Sequence, residues 1–135
     1  MQDIQKFTLI LFKLPNGSIG IQRRTKDASY APGRLGIFGG WVEKGETVDE
    51  CLIREIKEET SLNTDSLNIT FIKDFVIPAG PDFDRDRHFY LYETSVPDLT
   101  FEVYEGDGAE AFTLEELMKR EDLPGSAEVV FKQFL

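Results

Sequence analysis

Three carboxylates crowded onto one side of a short helix constrain this chain more than any other feature. They lie in residues 40–62, which read Gly40-x5-Glu46-x7-Arg54-Glu55-Ile56-x-Glu58-Glu59-x-Ser61-Leu62. Thr47 and Glu50 have the Thr-x-x-Glu spacing of a capping box, so a helix is expected from about Val48 to about Thr60. At 100° per residue, Glu55, Glu58 and Glu59 share an arc of roughly 100°. Leu52, Ile53 and Ile56 lie on the adjoining side and would pack the helix down. Each like-charge pair costs a few tenths of a kcal/mol, and helix stability alone does not ask for it. An isolated Arg-Glu-x-x-Glu-Glu reads as a solvated helix face. The alternative that uses the crowding is a hard divalent cation such as Mg2+, which takes oxygen ligands.

The rest of the composition fits an ordinary globular chain. Its 135 residues suffice for one domain, residues 1–135, with one core. No apolar run is long enough to cross a membrane, and Met1-Gln-Asp-Ile-Gln-Lys lacks the core of a signal peptide. Cys51 is the single cysteine, which excludes an internal disulfide, and a cytoplasmic location is expected. The formal net charge of −10 argues against a protein that coats nucleic acid. It does not argue against a small phosphorylated ligand, because a bound cation inverts the charge of an acidic site.

Along the chain, residues 7–14 form a nearly unbroken apolar run, read as a buried strand, and Pro15-Asn16-Gly17 is a turn. Residues 18–24 continue as a second strand, and 35–38 as a short third one entering Gly39-Gly40. Residues 67–77 read as a strand with Ile69, Phe71, Phe75 and Ile77 inward, and 87–94 as an aromatic-rich strand. Residues 99–104 alternate and read as a further strand, with a short extended piece at 109–112. Thr113 and Glu116 repeat the capping-box spacing and open a helix to about Arg120. Residues 126–135 read as a terminal amphipathic helix. The order is that of an α+β layered domain.

The stretch at 40–62 resembles the Nudix box, Gly-x5-Glu-x7-Arg-Glu-U-x-Glu-Glu-x-Gly-U with U aliphatic. Every specified position agrees except Ser61, which stands where the family has glycine. The resemblance implies an α/β/α sandwich with a mixed central sheet. It also implies metal-dependent hydrolysis of a diphosphate linkage in a nucleoside diphosphate derivative: a nucleoside triphosphate, a nucleotide sugar or an ADP-ribose-like compound. The cofactor it implies is Mg2+ or Mn2+. Its implied partners are a small nucleotide substrate and, as in many members, a second copy of the chain in a homodimer. A nucleotide sensor of the same shape that does not cleave its ligand is the alternative, and the intact carboxylates weigh against it.

Carried over by position, Glu58 and Glu59 resemble the principal metal ligands, and Glu55 resembles a residue that serves as ligand or general base. The carbonyl of Gly39 resembles a further ligand, and Arg54 with Glu46 resembles the pair tying loop to helix. Many members add a glutamate from a late loop. Glu110 is the expected match, ahead of its rival Glu105. The family glycine closes the helix in a left-handed turn, so Ser61 is expected to cost on the order of 1 kcal/mol, unless the helix ends through Asn63.

Substrate contacts are weaker readings. Arg23, Arg24, Lys26 and Arg34 are phosphate candidates or solvated charges. Trp41 is read as core rather than as a platform for a base. Phe83, His88 and Tyr90 flank a second mouth, with His88 read as structural, and Cys51 is read as packing. Pro78 lies sixteen residues beyond Leu62. That is about the spacing seen in ADP-ribose-cleaving members, although a proline closing a strand has local reasons too.

Overall fold

The computed structural model describes residues 4–27, 33–81, 84–123 and 125–134. Phe83, a candidate for the second mouth, lies outside them.

The apolar run becomes strand β1 (Gln5–Lys13), and both of its faces are covered. Thr8, Ile10 and Phe12 point to one face, Phe7, Leu9 and Leu11 to the other. β1 lies parallel to β6 (Arg87–Ser95) and antiparallel to β2 (Ile19–Arg23) and β4 (Phe38–Trp41), so the sheet is mixed. β3 (Leu35–Gly36) and β7 (Ala109–Phe112) both pair with β2, while β5 (Thr70–Ile77) pairs with β6 at the far edge.

Helix α1 (Val48–Glu59) covers one face, where Leu52 and Ile56 meet Ile10, Phe12 and Phe38. On the opposite face lie α2 (Leu114–Lys119) and α3 (Gly125–Val129), the latter running on as π turns over Val130–Phe134. There Leu117, Ala127, Val130 and Phe131 pack on Leu9, Leu11, Ile21 and Leu91. Each fully buried Leu, Ile or Phe side chain contributes about 1.5–3 kcal/mol, so two such layers hold the sheet between them. This is the expected α/β/α sandwich.

Both capping boxes form as their spacing predicts. The Thr47 hydroxyl accepts from the Glu50 N–H at 3.1 Å and the Glu50 carboxylate accepts from the Thr47 N–H at 3.0 Å; Thr113 and Glu116 do the same for α2. The end of α1 departs from expectation. It closes through Thr60 in extended backbone (φ −138°), with no left-handed residue at that cap. Ser61 then exchanges two hydrogen bonds with Glu102, through its N–H to the Glu102 carbonyl and through its Oγ from the Glu102 N–H. Serine therefore fits here because this chain ends the helix by bridging Thr60 to Val103.

Two other expectations are corrected. Residues 99–104 form bends and that one bridge, not a strand, because their main chain is spent on the end of α1. Phe71 is exposed rather than inward: an irregularity between Phe71 and Lys73 changes the strand's alternation, and Phe71 rests edge-on against Tyr92. Thr47→Ala removes an N-cap and is expected to lower unfolding stability by about 1 kcal/mol. Urea titrations of the two proteins, giving a lower midpoint at constant slope, would check this.

Candidate active site at the strand–helix junction

β4 delivers Gly39 and Gly40 beneath α1, and both positions require glycine. A Cβ on Gly40 would lie 2.2 Å from the Glu55 Oε1. Gly39 has φ +149°, and a Cβ there would lie 1.9 Å from the Thr8 carbonyl oxygen. The double glycine therefore lets the Glu55 carboxylate sit directly on the strand's main chain.

Arg54 organises the acids around it. Its Nε and Nη2 donate to the two oxygens of Glu46 at 2.7 and 3.0 Å, and Nη2 also donates to the Trp41 carbonyl at 2.8 Å. Its Nη1 donates to Glu55 at 2.9 Å and to Glu58 at 3.1 Å. The bidentate pair fastens the loop before α1 to the helix, as expected of Glu46 and Arg54. Hydrogen bonding to Arg54 and then to the Glu43 main chain holds the Glu46 carboxyl down at about 2. Glu58 is half exposed and stays on the Arg54 side of the cluster.

Glu59 is the unusual member. It is buried, with 3% of its surface exposed. Burial first, then a hydrogen bond with Glu55 and the charges of Glu55 and Glu105, push its carboxyl well above the ordinary carboxylate range. A hydrogen bond from the Gly39 main chain opposes this. Glu105 reaches this position because the Tyr104 N–H donates to the Glu59 carbonyl at 2.7 Å. Glu55 and Glu59 thus share a hydrogen bond beside the Gly39 N–H, and Glu105 adds a further negative charge to their surroundings.

Carboxylate oxygens suit a hard divalent ion, and a cation there would offset the burial and the neighbouring charges that raise the Glu59 carboxyl. Among the described residues, no three His, Cys, Asp or Glu side chains converge to hold an ion by themselves. Main chain, water and substrate phosphates would have to complete the shell, a common arrangement for Mg2+.

Glu110 is not brought to this cluster. It lies in β7 opposite Ile21, exposed, and forms an ion pair with the Arg23 Nε. Hydrogen bonding to Arg23 holds its carboxyl below the usual value. Of the two late-loop glutamates, Glu105 rather than Glu110 adds its charge to the surroundings of Glu59. Trp41 is also corrected, being 61% exposed, with its ring edge-on to Phe7. Lys26 and Arg34 are exposed, and Arg23 is engaged by Glu110 and the Gly33 carbonyl. His88 is hydrogen-bonded to Asp74 at 2.6 Å and stacked on Tyr90. Cys51 is fully buried against Thr8 and the Trp41 carbonyl, and burial pushes its thiol up to about 11.

The sequence reading missed a cleft of about 440 Å³ beside Gly39 and Gly40. Phe7, Ile37, Trp41 and Phe89 wall it, and Arg24 and Arg87 line it. The signal was the stacked series Phe7, Phe89 and Phe75, whose pairing depends on the β1–β6 and β5–β6 registers.

A NUDIX domain family model matches residues 7–134. The chain is 31% identical to the ADP-ribose pyrophosphatase of Methanocaldococcus jannaschii over 104 residues, covering 76% of this chain and 58% of that protein. It is 30% identical over 91 residues to the oxidized purine nucleoside triphosphate hydrolase of Mus musculus, covering 67% of this chain and 55% of that one. The chain therefore spans somewhat over half the length of these curated relatives. The crystal structure of the MutT protein from Methanosarcina mazei Go1 superposes with a TM-score of 0.80 at 18% identity, covering 98% of this chain and 94% of the other. This chain belongs to the Nudix family. Among the described residues, no helix is long and apolar enough to cross a membrane.

Two predictions follow from these charges. The folded protein keeps on Glu59 a proton that the unfolded chain releases above about 4.5, so stability falls as pH rises past that value. Glu59→Gln should remove this fall and raise the melting temperature of the metal-free protein at pH 7, and scanning calorimetry across pH would show it. Glu46 has the opposite sign. Its contribution is complete above the ordinary 4.5 and is lost as pH falls toward about 2. The stability difference between the native protein and Glu46→Gln should therefore shrink over that acid range in urea titrations.

Proposed function

We propose that this chain is a pyrophosphohydrolase that uses Mg2+ or Mn2+ to cleave a diphosphate linkage in a nucleoside diphosphate derivative. The observation that carries this reading is the buried Glu59, hydrogen-bonded with the partly buried Glu55 that sits on the Gly40 main chain, with the charge of Glu105 nearby. Nothing in the packing of α1 requires a buried acid at Glu59, and a family built on diphosphate hydrolysis supplies the reason for one. Membership in the family supports the reaction class, and the names of the curated relatives support phosphoric anhydrides as its substrates.

Glu55, Glu59 and the main chain of Gly39 would hold the ion, and Glu58 could join them on leaving Arg54. A bound ion supplies positive charge to the phosphate oxygens and makes water a better nucleophile. The chain's own residues divide the remaining work. Arg54 fixes the Glu46 loop and keeps Glu55 in place, so the carboxylates are preorganised. Glu105, exposed near Glu59, has room to orient a water and accept its proton.

The group beyond the diphosphate would enter the neighbouring cleft. Its aromatic walls suit a planar nucleobase, and Arg24 and Arg87 offer positive charge to the linking phosphates or sugar. Nucleoside triphosphates, nucleotide sugars and ADP-ribose-like compounds all satisfy that description.

Incubation with a panel of these substrates and Mg2+ or Mn2+ should release a nucleoside monophosphate. In 18O-labelled water one product phosphate should carry the label. Glu59→Gln is expected to lower kcat by ~10²–10⁴-fold. A folded protein that turns over no member of the panel with either metal would overturn the proposal.

A further inference from the structure

Gln22 is a buried amide on β2, with 7% of its surface exposed, in a strand otherwise rich in isoleucine. Its Nε2 donates to the carbonyl of Glu105 at 2.8 Å, across 83 residues of sequence. The turn following Glu105 lies directly on the same segment of β2. The Asp107 N–H donates to the Arg23 carbonyl at 2.7 Å, and the Arg23 N–H donates to the Gly108 carbonyl at 3.0 Å. Gly106 has φ +83°, and a Cβ there would lie 2.5 Å from the Arg23 carbonyl oxygen and 3.2 Å from Gln22 Cγ and Nε2. On its other side Glu105 is preceded by Tyr104, bonded to the Glu59 carbonyl at 2.7 Å. The Glu105 backbone is therefore pinned at two points, one on α1 and one on the Gln22 side chain.

These two pins differ in kind. The Tyr104 bond is main chain to main chain and forms with any side chain. The Gln22 bond depends on residue type, and a buried strand position would otherwise favour an apolar residue. The geometry points to Gln22 as a positioning residue that acts through Glu105, fixing its carboxylate beside Glu59. This inference rests on the reading of Glu105 as part of the active site. Gln22 touches neither substrate nor Glu59 in this account; it sets only where Glu105 stands.

The experiment is a double-mutant cycle of Gln22→Met, which keeps volume and removes the donor, with Glu105→Gln. Gln22→Leu is a second probe should Gln22→Met fold poorly. Turnover is read alongside Mn2+ binding to the substrate-free protein, followed by electron paramagnetic resonance. Gln22→Met should lower kcat about tenfold with KM nearly unchanged, weaken Mn2+ binding severalfold and leave the melting temperature within a few degrees. In the Glu105→Gln background the same substitution should have no further effect on either readout, because its target is already gone. Independent, multiplicative losses in the double variant would overturn the inference while leaving Glu105 in the site, as would a Gln22→Met protein with native turnover and Mn2+ affinity. If Glu105→Gln is itself inert while Glu59→Gln abolishes turnover, the placement of Glu105 fails and the role of Gln22 fails with it.

Discussion

The site depends on one guanidinium. Arg54 donates to Glu46 through two nitrogens and to Glu55 and Glu58 through the third, and it also holds the Trp41 carbonyl. Surrounded by these acids, its own pKa is raised further, so it stays charged throughout. Without that charge, Glu46, Glu55 and Glu58 would repel one another across a loop and a helix. With it, the loop is tied down, and one oxygen of Glu55 is committed to Arg54. A single lysine, with a compact ammonium and no planar fork, would not satisfy the bidentate pair and the bridge together.

What Arg54 does not neutralise is Glu59. That carboxyl lies one turn beyond Glu55, buried under the glycine strand, and its nearest charges are other carboxylates. A protein selected for stability alone would fill the position with an apolar residue, since burying an ionisable group without a cation costs several kcal/mol. The fold tolerates it because two apolar layers hold β1, β4 and α1 together regardless of this residue's charge.

The features legible in the sequence were the local ones. A capping box, a helix period and a box of fixed spacing lie within about twenty residues, and each came out as written at Thr47, Arg54 and Glu46. The features that escaped depend on register between distant segments. Glu105 and Glu110 lie five residues apart, and distant contacts separate them: the pairing of β7 with β2 sets Glu110 on Arg23, while the Tyr104 bond to the Glu59 carbonyl brings Glu105 toward α1. Trp41 looked like core because it follows a tight glycine pair, yet the strand ends there at a cleft mouth and leaves the ring half in water. Ser61 looked like a strained cap because the chain that bridges the helix end arrives some forty residues later. Gln22 carried no signal at all: an amide in a buried strand has meaning only once the loop it holds is in place.

Burial first, and then the acids around it, raise the Glu59 carboxyl, and the proposed site requires it to give up its proton when a cation binds. Carbon-detected NMR of the glutamate side-chain carboxyls at neutral pH, before and after addition of MgCl2, measures this at the atom concerned. The account predicts a Glu59 carboxyl shift typical of the protonated acid in metal-free protein, moving to the carboxylate value as Mg2+ is added. A Glu59 carboxylate already ionised without metal and unmoved by Mg2+ would contradict it.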